Sequence, residues 1–286
     1  MFAIVGVIIV FASVIGGYIM HHGQLLVLYQ PSEYLIIGGA AIGILLVANP
    51  LAVIKRLISQ LIGMLGSGPS RQDFNELLVM MYEFFVLSKQ SGLMGLESHF
   101  ENPDSSAILK RYPKFMKNHH ALSFMSDTMK VIIMGGVPAY DLEDLMDKDL
   151  EVHHKEASQP AAALARIADA LPGLGIVAAV LGVVITMGSI GGPAAEIGMK
   201  VAAALVGTFL GILLAYGVVA PIGVNIENRN EADFEYFRVM KQGMLGFYKG
   251  FPPVIAVEFA RRSIPGDLRP GFQETEDACR EAKKKN

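Results

Sequence analysis

The sequence predicts an all-α polytopic membrane protein: four transmembrane helices, a helical cytoplasmic domain inserted between spans two and three, and a cytoplasmic C-terminal helical tail. Three observations predict it. Ala170 to Ala195 and Val201 to Ile226 each run 26 residues without Asp, Glu, Lys or Arg, and a helix of that length reaches ~39 Å, enough to cross a hydrocarbon core of about 30 Å. No strand-like alternation runs through them, and lipid admits only helices or closed barrels, because unpaired backbone groups are too costly there. The 52% hydrophobic content of the 286 residues also lies in blocks, unlike the even spread of a soluble core. Finally, Lys55 to Arg166 holds 12 of the 24 Lys and Arg residues and Arg229 to Lys285 holds 11. By the positive-inside rule both polar regions and both termini are cytoplasmic, and an even number of spans agrees.

The elements follow in order. The first 32 residues carry no Asp, Glu, Lys or Arg; without a basic start they read as an uncleaved membrane helix rather than a signal peptide. Phe2 to Met20 is span one, His21 to Glu33 a short loop, and Tyr34 to Ile54 span two, ending near Asn49-Pro50. Gly39 and Gly43 form a GxxxG, expected to pack against another helix. Gly66 to Pro69 is a linker. Ser70 begins an amphipathic helix with Phe74, Leu77, Leu78, Met81 and Phe85 on its apolar face. Ser91 to Ser106 reads as a turn-rich connection, and a helix near Leu122 to Met134 stops at Gly135-Gly136. From Tyr140 the positions Leu142, Leu145, Met146 and Leu150 start a long helix that Pro160 and Pro172 should kink or interrupt. Asn225 to Lys249 continues span four, Val254 to Arg262 is a short helix, and the tail from Pro265 is expected to be solvated and loosely ordered. The domain limits are thus 1–54, 55–170, 171–224 and 225–286.

Spans three and four form a hairpin turning at Gly191-Gly192-Pro193. Pro172, Gly175, Ala179, Gly182, Thr186 and Ser189 recur every three or four residues along one face. Ala204, Thr208, Gly211 and Ala215 do the same on span four. Small stripes let helix backbones approach closely in lipid. They stand either for the hairpin packed on itself or for a helix-lined crevice through which an ion passes. The hairpin holds no ionisable group of the kind that ion transfer requires, so a titrating carboxylate has to come from a second chain. Thr208 is either a pathway hydroxyl or an ordinary membrane threonine bonded to the carbonyl four residues back. Pro172 and Pro221 are either plain kinks or hinges.

Other chemistry is sparse. The paired histidines His21-His22, His119-His120 and His153-His154 lack i,i+4 ligand spacing, and no Walker loop, HExxH or nucleophile elbow is present. No cofactor, metal, nucleic-acid partner or enzymatic activity is expected. The lone cysteine, Cys279, fits a reducing compartment. Lys89 and Glu97 flank the Gly-rich connection and by themselves read as ordinary surface charges.

Leu171-Pro172-Gly-Leu-Gly-Ile-Val-Ala-Ala-Val-Leu-Gly182 and Val206-Gly-Thr-Phe-Leu-Gly-Ile-Leu-Leu-Ala-Tyr-Gly217 resemble the A subunit of the bacterial flagellar motor stator, the MotA family. So do Glu97 with Glu101-Asn102-Pro103, and Pro252-Pro253 leading to Ala256-Val257-Glu258-Phe259. The resemblance implies a homopentamer around two B subunits of the MotB type, each B subunit supplying a proton-accepting aspartate and a wall-binding domain. It implies Thr208, Ala179, Thr186 and Tyr216 along the ion pathway and Pro172 and Pro221 as helix hinges. Lys89 and Glu97 would engage the rotor protein FliG, although lysine in place of arginine loses the bidentate fork. Sodium-driven relatives carry threonine where Ala179 stands, which points to protons; Thr186 is a nearby hydroxyl. The alternative is an ExbB/TolQ-type energiser of outer-membrane processes, whose three spans do not match the four expected here. A self-sufficient carrier would need titratable membrane groups of its own.

Overall fold

In the computed structural model, which describes residues 2–64, 66 and 68–285, four helices are long and apolar enough to cross a membrane. They lie in Ala3–Met20, Leu25–Ala48, Ala139–Met187 and Ala194–Tyr248. The chain divides into two compact units, Met1–Gly66 with Ala157–Arg229, and Ser67–Glu156 with Asn230–Asn286. The limits drawn at 54, 170 and 224 follow hydropathy, whereas these follow packing. The expected Gly66 to Pro69 linker includes Ser67, which lies outside the described residues.

In the first unit, α1 (Phe2–Met20) ends where His22 adopts the left-handed conformation (φ 58). The expected loop holds a short helix, α2 (Leu25–Leu28), and α3 (Pro31–Ala48) starts three residues early, so Glu33 sits in its first turn. Span two also ends sooner than Ile54. Asn49 is extended (φ −134, ψ 141), as the residue before a proline is driven to be, and a separate amphipathic helix, α4 (Leu51–Gly63), follows Pro50. Lys55 and Arg56 belong to α4. Gly39 and Gly43 have open space beside them within this chain, so their GxxxG makes no contact here. Many large apolar side chains on the spans face outward, among them Ile8, Ile9, Leu35, Val47, Val184 and Ile185. Such a surface belongs against lipid or another apolar helix, not water.

Helix α9 (Ala139–Met187) is a single element of 49 residues; Pro160 and Pro172 do not interrupt it. A proline removes one N–H and weakens the turn before it. The carbonyl that Pro160 cannot reach is that of Glu156; on the next residue the Ala157 carbonyl accepts a 3.0 Å bond from Gln60 Nε2. Span four, where Pro221 was expected to be a kink or a hinge, is α10 (Ala194–Leu214), a wide π turn over Ala215–Val219, and then α11 (Ala220–Tyr248). Pro221 explains the widening: it has no N–H to offer the carbonyl four residues back, Gly217, and its ring crowds it.

The second unit has one core. In α5 (Arg71–Ser91) the expected face is buried, with Phe74, Leu77, Leu78, Met81 and Phe85 at most 1% exposed. Ser70 caps this helix. Its side chain accepts from the Asp73 N–H while Asp73 accepts from the Ser70 N–H, a closed capping box. Gly92 (φ 76) ends it. The expected turn-rich connection is largely helical instead: α6 (Met94–Glu101) and a 3-10 turn at Pro103–Ser105 occupy it. After α7 (Pro113–Lys117), α8 (His119–Met134) is capped by the Asn118 side chain and stops at Gly135 (φ 71) and Gly136 (φ 79). On α9 Leu142, Met146 and Leu150 are buried, but Leu145 is exposed, one step off their stripe.

The tail is ordered, contrary to expectation. Beyond α12 (Pro253–Arg262), α13 (Phe272–Lys285) packs on α5 through Thr275, Cys279 and Ala282. Burial, with the Glu83 charge adding to it, pushes the Cys279 thiol up to about 12. Native protein at pH 8 should therefore react with a maleimide far more slowly than the same protein in denaturant, as mass spectrometry of the intact chain would show. Equal rates would mean that α13 does not dock.

Candidate functional site

The two small stripes meet each other. A Cβ added to Gly175 would lie 2.7 Å from the Gly207 carbonyl and 3.2 Å from the Thr208 Cα, and one added to Gly182 would lie 2.6 Å from the Ala204 Cβ. Of the two readings of these stripes, the hairpin packed on itself is the one observed within a single chain. The backbones touch along α9 and α10, so no crevice opens between them. The faces that remain free carry Ile176, Val180, Leu205, Ile212 and Tyr216, all about half exposed or more. Another helix would meet the hairpin there.

The hydroxyls differ. Thr186 is buried and donates to the Gly182 carbonyl at 2.8 Å, the ordinary bond of a membrane threonine. Thr208 is half-buried and makes no such bond, which leaves its hydroxyl available to a ligand or to water. Ala179 is half-buried at the helix crossing, its N–H nitrogen 3.2 Å from where a Gly207 Cβ would stand. Tyr216 is 65% exposed within the π turn, and Pro221 is exposed two residues after that turn. Pro172 is half-buried in α9, three residues before Gly175.

One residue was missed. Glu33 is 6% exposed, and its Oε2 has no hydrogen-bond partner. That oxygen points at Gly207, standing 2.5 Å from the position a Cβ would take there. The reading of the membrane part as free of acids thus holds for the two 26-residue apolar runs but not for what packs against them, and Glu196, paired with Lys200 at 2.9 Å, opens α10 between those runs. A local signal was available: Pro31 at the first helical position followed by an acid two residues later is a common helix start.

In the second unit Lys89 is exposed in the last turn of α5, and Glu97 is partly exposed in the first turn of α6. Each charge sits at the helix end whose dipole favours it. Neither makes an ion pair among the described residues, so both are available to a partner. The same unit holds a buried anchor: Glu83 accepts from Arg111 Nη1 and from the Tyr112 hydroxyl, each at 2.9 Å. Burial, followed by the neighbouring Glu83 charge, drives the Tyr112 phenol up. Two of the paired histidines serve as ring partners, His153 against Phe237 and His154 against Phe234. Among the described residues no group of three or more His, Cys, Asp or Glu could hold a metal.

Comparison with known proteins covers the whole chain. The family model described as Motility protein A N-terminal matches residues 4–92, and that of the MotA/TolQ/ExbB proton channel family matches 116–238. The chain is 38% identical to Motility protein A of Salmonella typhimurium, over 100% of this chain and 97% of that protein. It is 39% identical to Motility protein A of Escherichia coli, over 99% and 96%. Its fold is similar to a chain in the structure of C. jejuni MotAB, with a TM-score of 0.76 at 19% identity over 93% of this chain and 96% of that one.

Proposed function

The chain belongs to the Motility protein A family, and from that membership we infer that it is the A subunit of a flagellar motor stator, coupling ion flow to torque. The observation that carries this is identity of 38–39% over essentially the full length, including the four-span layout. An energiser of the ExbB or TolQ type is not favoured, because residues 4–92 match the motility-specific N-terminal model. The family is one of stators and proton channels rather than enzymes.

In this reading the partner is a B subunit of the MotB type whose membrane aspartate binds the coupling proton. Five A subunits surround two B subunits in the bacterial inner membrane, with both termini and the second unit in the cytoplasm. What supports it is the outward apolar face of a hairpin whose two 26-residue apolar runs carry no acid, with the unbonded Thr208 hydroxyl beside the crossing. Neutralising the partner's aspartate changes the cost of holding it against apolar helices, and the ring steps to a new position. Pro172 and Pro221 allow the bending. Lys89 and Glu97 meet complementary charges on FliG and turn the step into torque.

The test is rotation of tethered Escherichia coli cells lacking their own Motility protein A and carrying this chain with its B partner. Wild-type chain should restore rotation. Lys89→Glu and Glu97→Lys should each remove most of the torque and of the recruitment to the motor, since reversing a charge at a steering contact repels the partner. Normal swimming in both variants would sink the rotor assignment.

A further inference from the structure

Glu33 is an acid held where an acid is costly. It lies in the first turn of span two, 6% exposed, with Oε2 unpartnered. Buried polar atoms almost always find partners, and an intramembrane carboxylate is kept for function by default. A merely structural anchor would hold its oxygens in hydrogen bonds. This oxygen instead faces the small stripe of α10 at Gly207, where the missing side chain makes room for it, beside Ala178 and Ala179 of α9. The next residue on α10 is Thr208, whose hydroxyl is unbonded.

We propose that Glu33 is a proton-binding site of this chain's own, a relay carboxylate at the Gly207–Thr208 turn that takes up and passes on the coupling ion. The proposal rests on the stator reading. A hydronium ion on the side of the short loop between spans one and two gives its proton to Oε2: one of its O–H bonds breaks, leaving water, as the carboxyl O–H forms. That bond then breaks as the proton passes to the next acceptor along the pathway, and Glu33 returns to the carboxylate. No redox partner is involved. Because Gly207 and the π turn share one helix, bending at the turn moves the wall against which the carboxyl lies. Occupancy by a proton and the position of span four are thereby linked.

The experiment compares bead rotation driven by the full A/B stator carrying wild-type chain, Glu33→Gln or Glu33→Asp, in cells without their own A subunit. Fluorescent B subunit counts the docked units. Glutamine keeps the shape but cannot release a proton. It should leave docking and stall torque per docked unit unchanged, while low-load speed, limited by proton transfer, falls ~100-fold, the lower end of what a positioned proton acceptor contributes. Aspartate should restore part of that speed. Wild-type speed at low load with Glu33→Gln overturns the role of Glu33 alone. Failure of the wild-type chain to rotate the bead overturns the stator reading itself. If Glu33→Gln does not dock, labelling of the wild-type complex with dicyclohexylcarbodiimide decides: mass spectrometry finding the adduct on Glu33 supports the relay, and an unmodified Glu33 peptide overturns it.

Discussion

Gly211→Val is expected to abolish rotation and recovery of the A/B complex together. A Cβ at Gly211 would stand 2.6 Å from the Leu171 carbonyl and 2.9 Å from the Gly175 Cα. Both neighbours are backbone, so no side chain can swing aside and the helices themselves have to part. Overpacking typically costs about 1–3 kcal/mol where side chains can adjust; here the cost falls on the whole stripe contact, including Gly182 against Ala204. Co-purification with the B subunit and tethered-cell rotation measure the two losses. Gly63→Ala, in a helix with open space beside the glycine, serves as control and should be neutral in both assays. A Gly211→Val complex that forms and turns normally would refute the packed hairpin.

The second large effect is on stability. Glu83→Ala should destabilise the unit that carries Lys89 and Glu97 by about 1–3 kcal/mol, the range for leaving a buried donor without its acceptor, since the Arg111 side chain that loses its partner is itself 33% exposed. Arg111 loses a partner whose side chain is 1% exposed, and the Tyr112 hydroxyl loses its acceptor. Unfolding of the purified full chain in urea, followed by tyrosine signals, reads this directly. A change below about 1 kcal/mol, the level of a surface pair, would mean that the Glu83 anchor is solvated rather than buried.

How far these features were legible in the sequence varies with how local their causes are. The α5 face from Phe74 to Phe85 was legible because one helix and one core define it. The stripes on spans three and four were legible as stripes, but whether they faced each other or a channel depended on helix placement, which periodicity does not encode. Glu33 was hidden for the same reason. Its meaning comes from Gly207, far away in the chain, and an acid beside a loop looks like part of that loop. The tail failed differently. Most of α13 is charged, and its low hydropathy masked Thr275, Cys279 and Ala282 at helical spacing. The break at Asn49-Pro50 and the π turn near Pro221 follow from proline chemistry already visible in the chain; what the sequence left open was whether the helix would stop, as in span two, or merely widen, as in span four.

The glycine contacts have a mechanical corollary. Gly175 to Gly182 on one helix is clamped to Ala204 to Gly211 on the other at two places roughly 10 Å apart along the axis. Two clamps forbid both sliding and pivoting, so this section moves as one stiff bar. The widened turn leading to Pro221 lies beyond the end of the bar where Gly211 meets Leu171, the neighbour of Pro172. Compliance is therefore concentrated at that end, and a push on the bar is delivered as a swing of whatever is attached there.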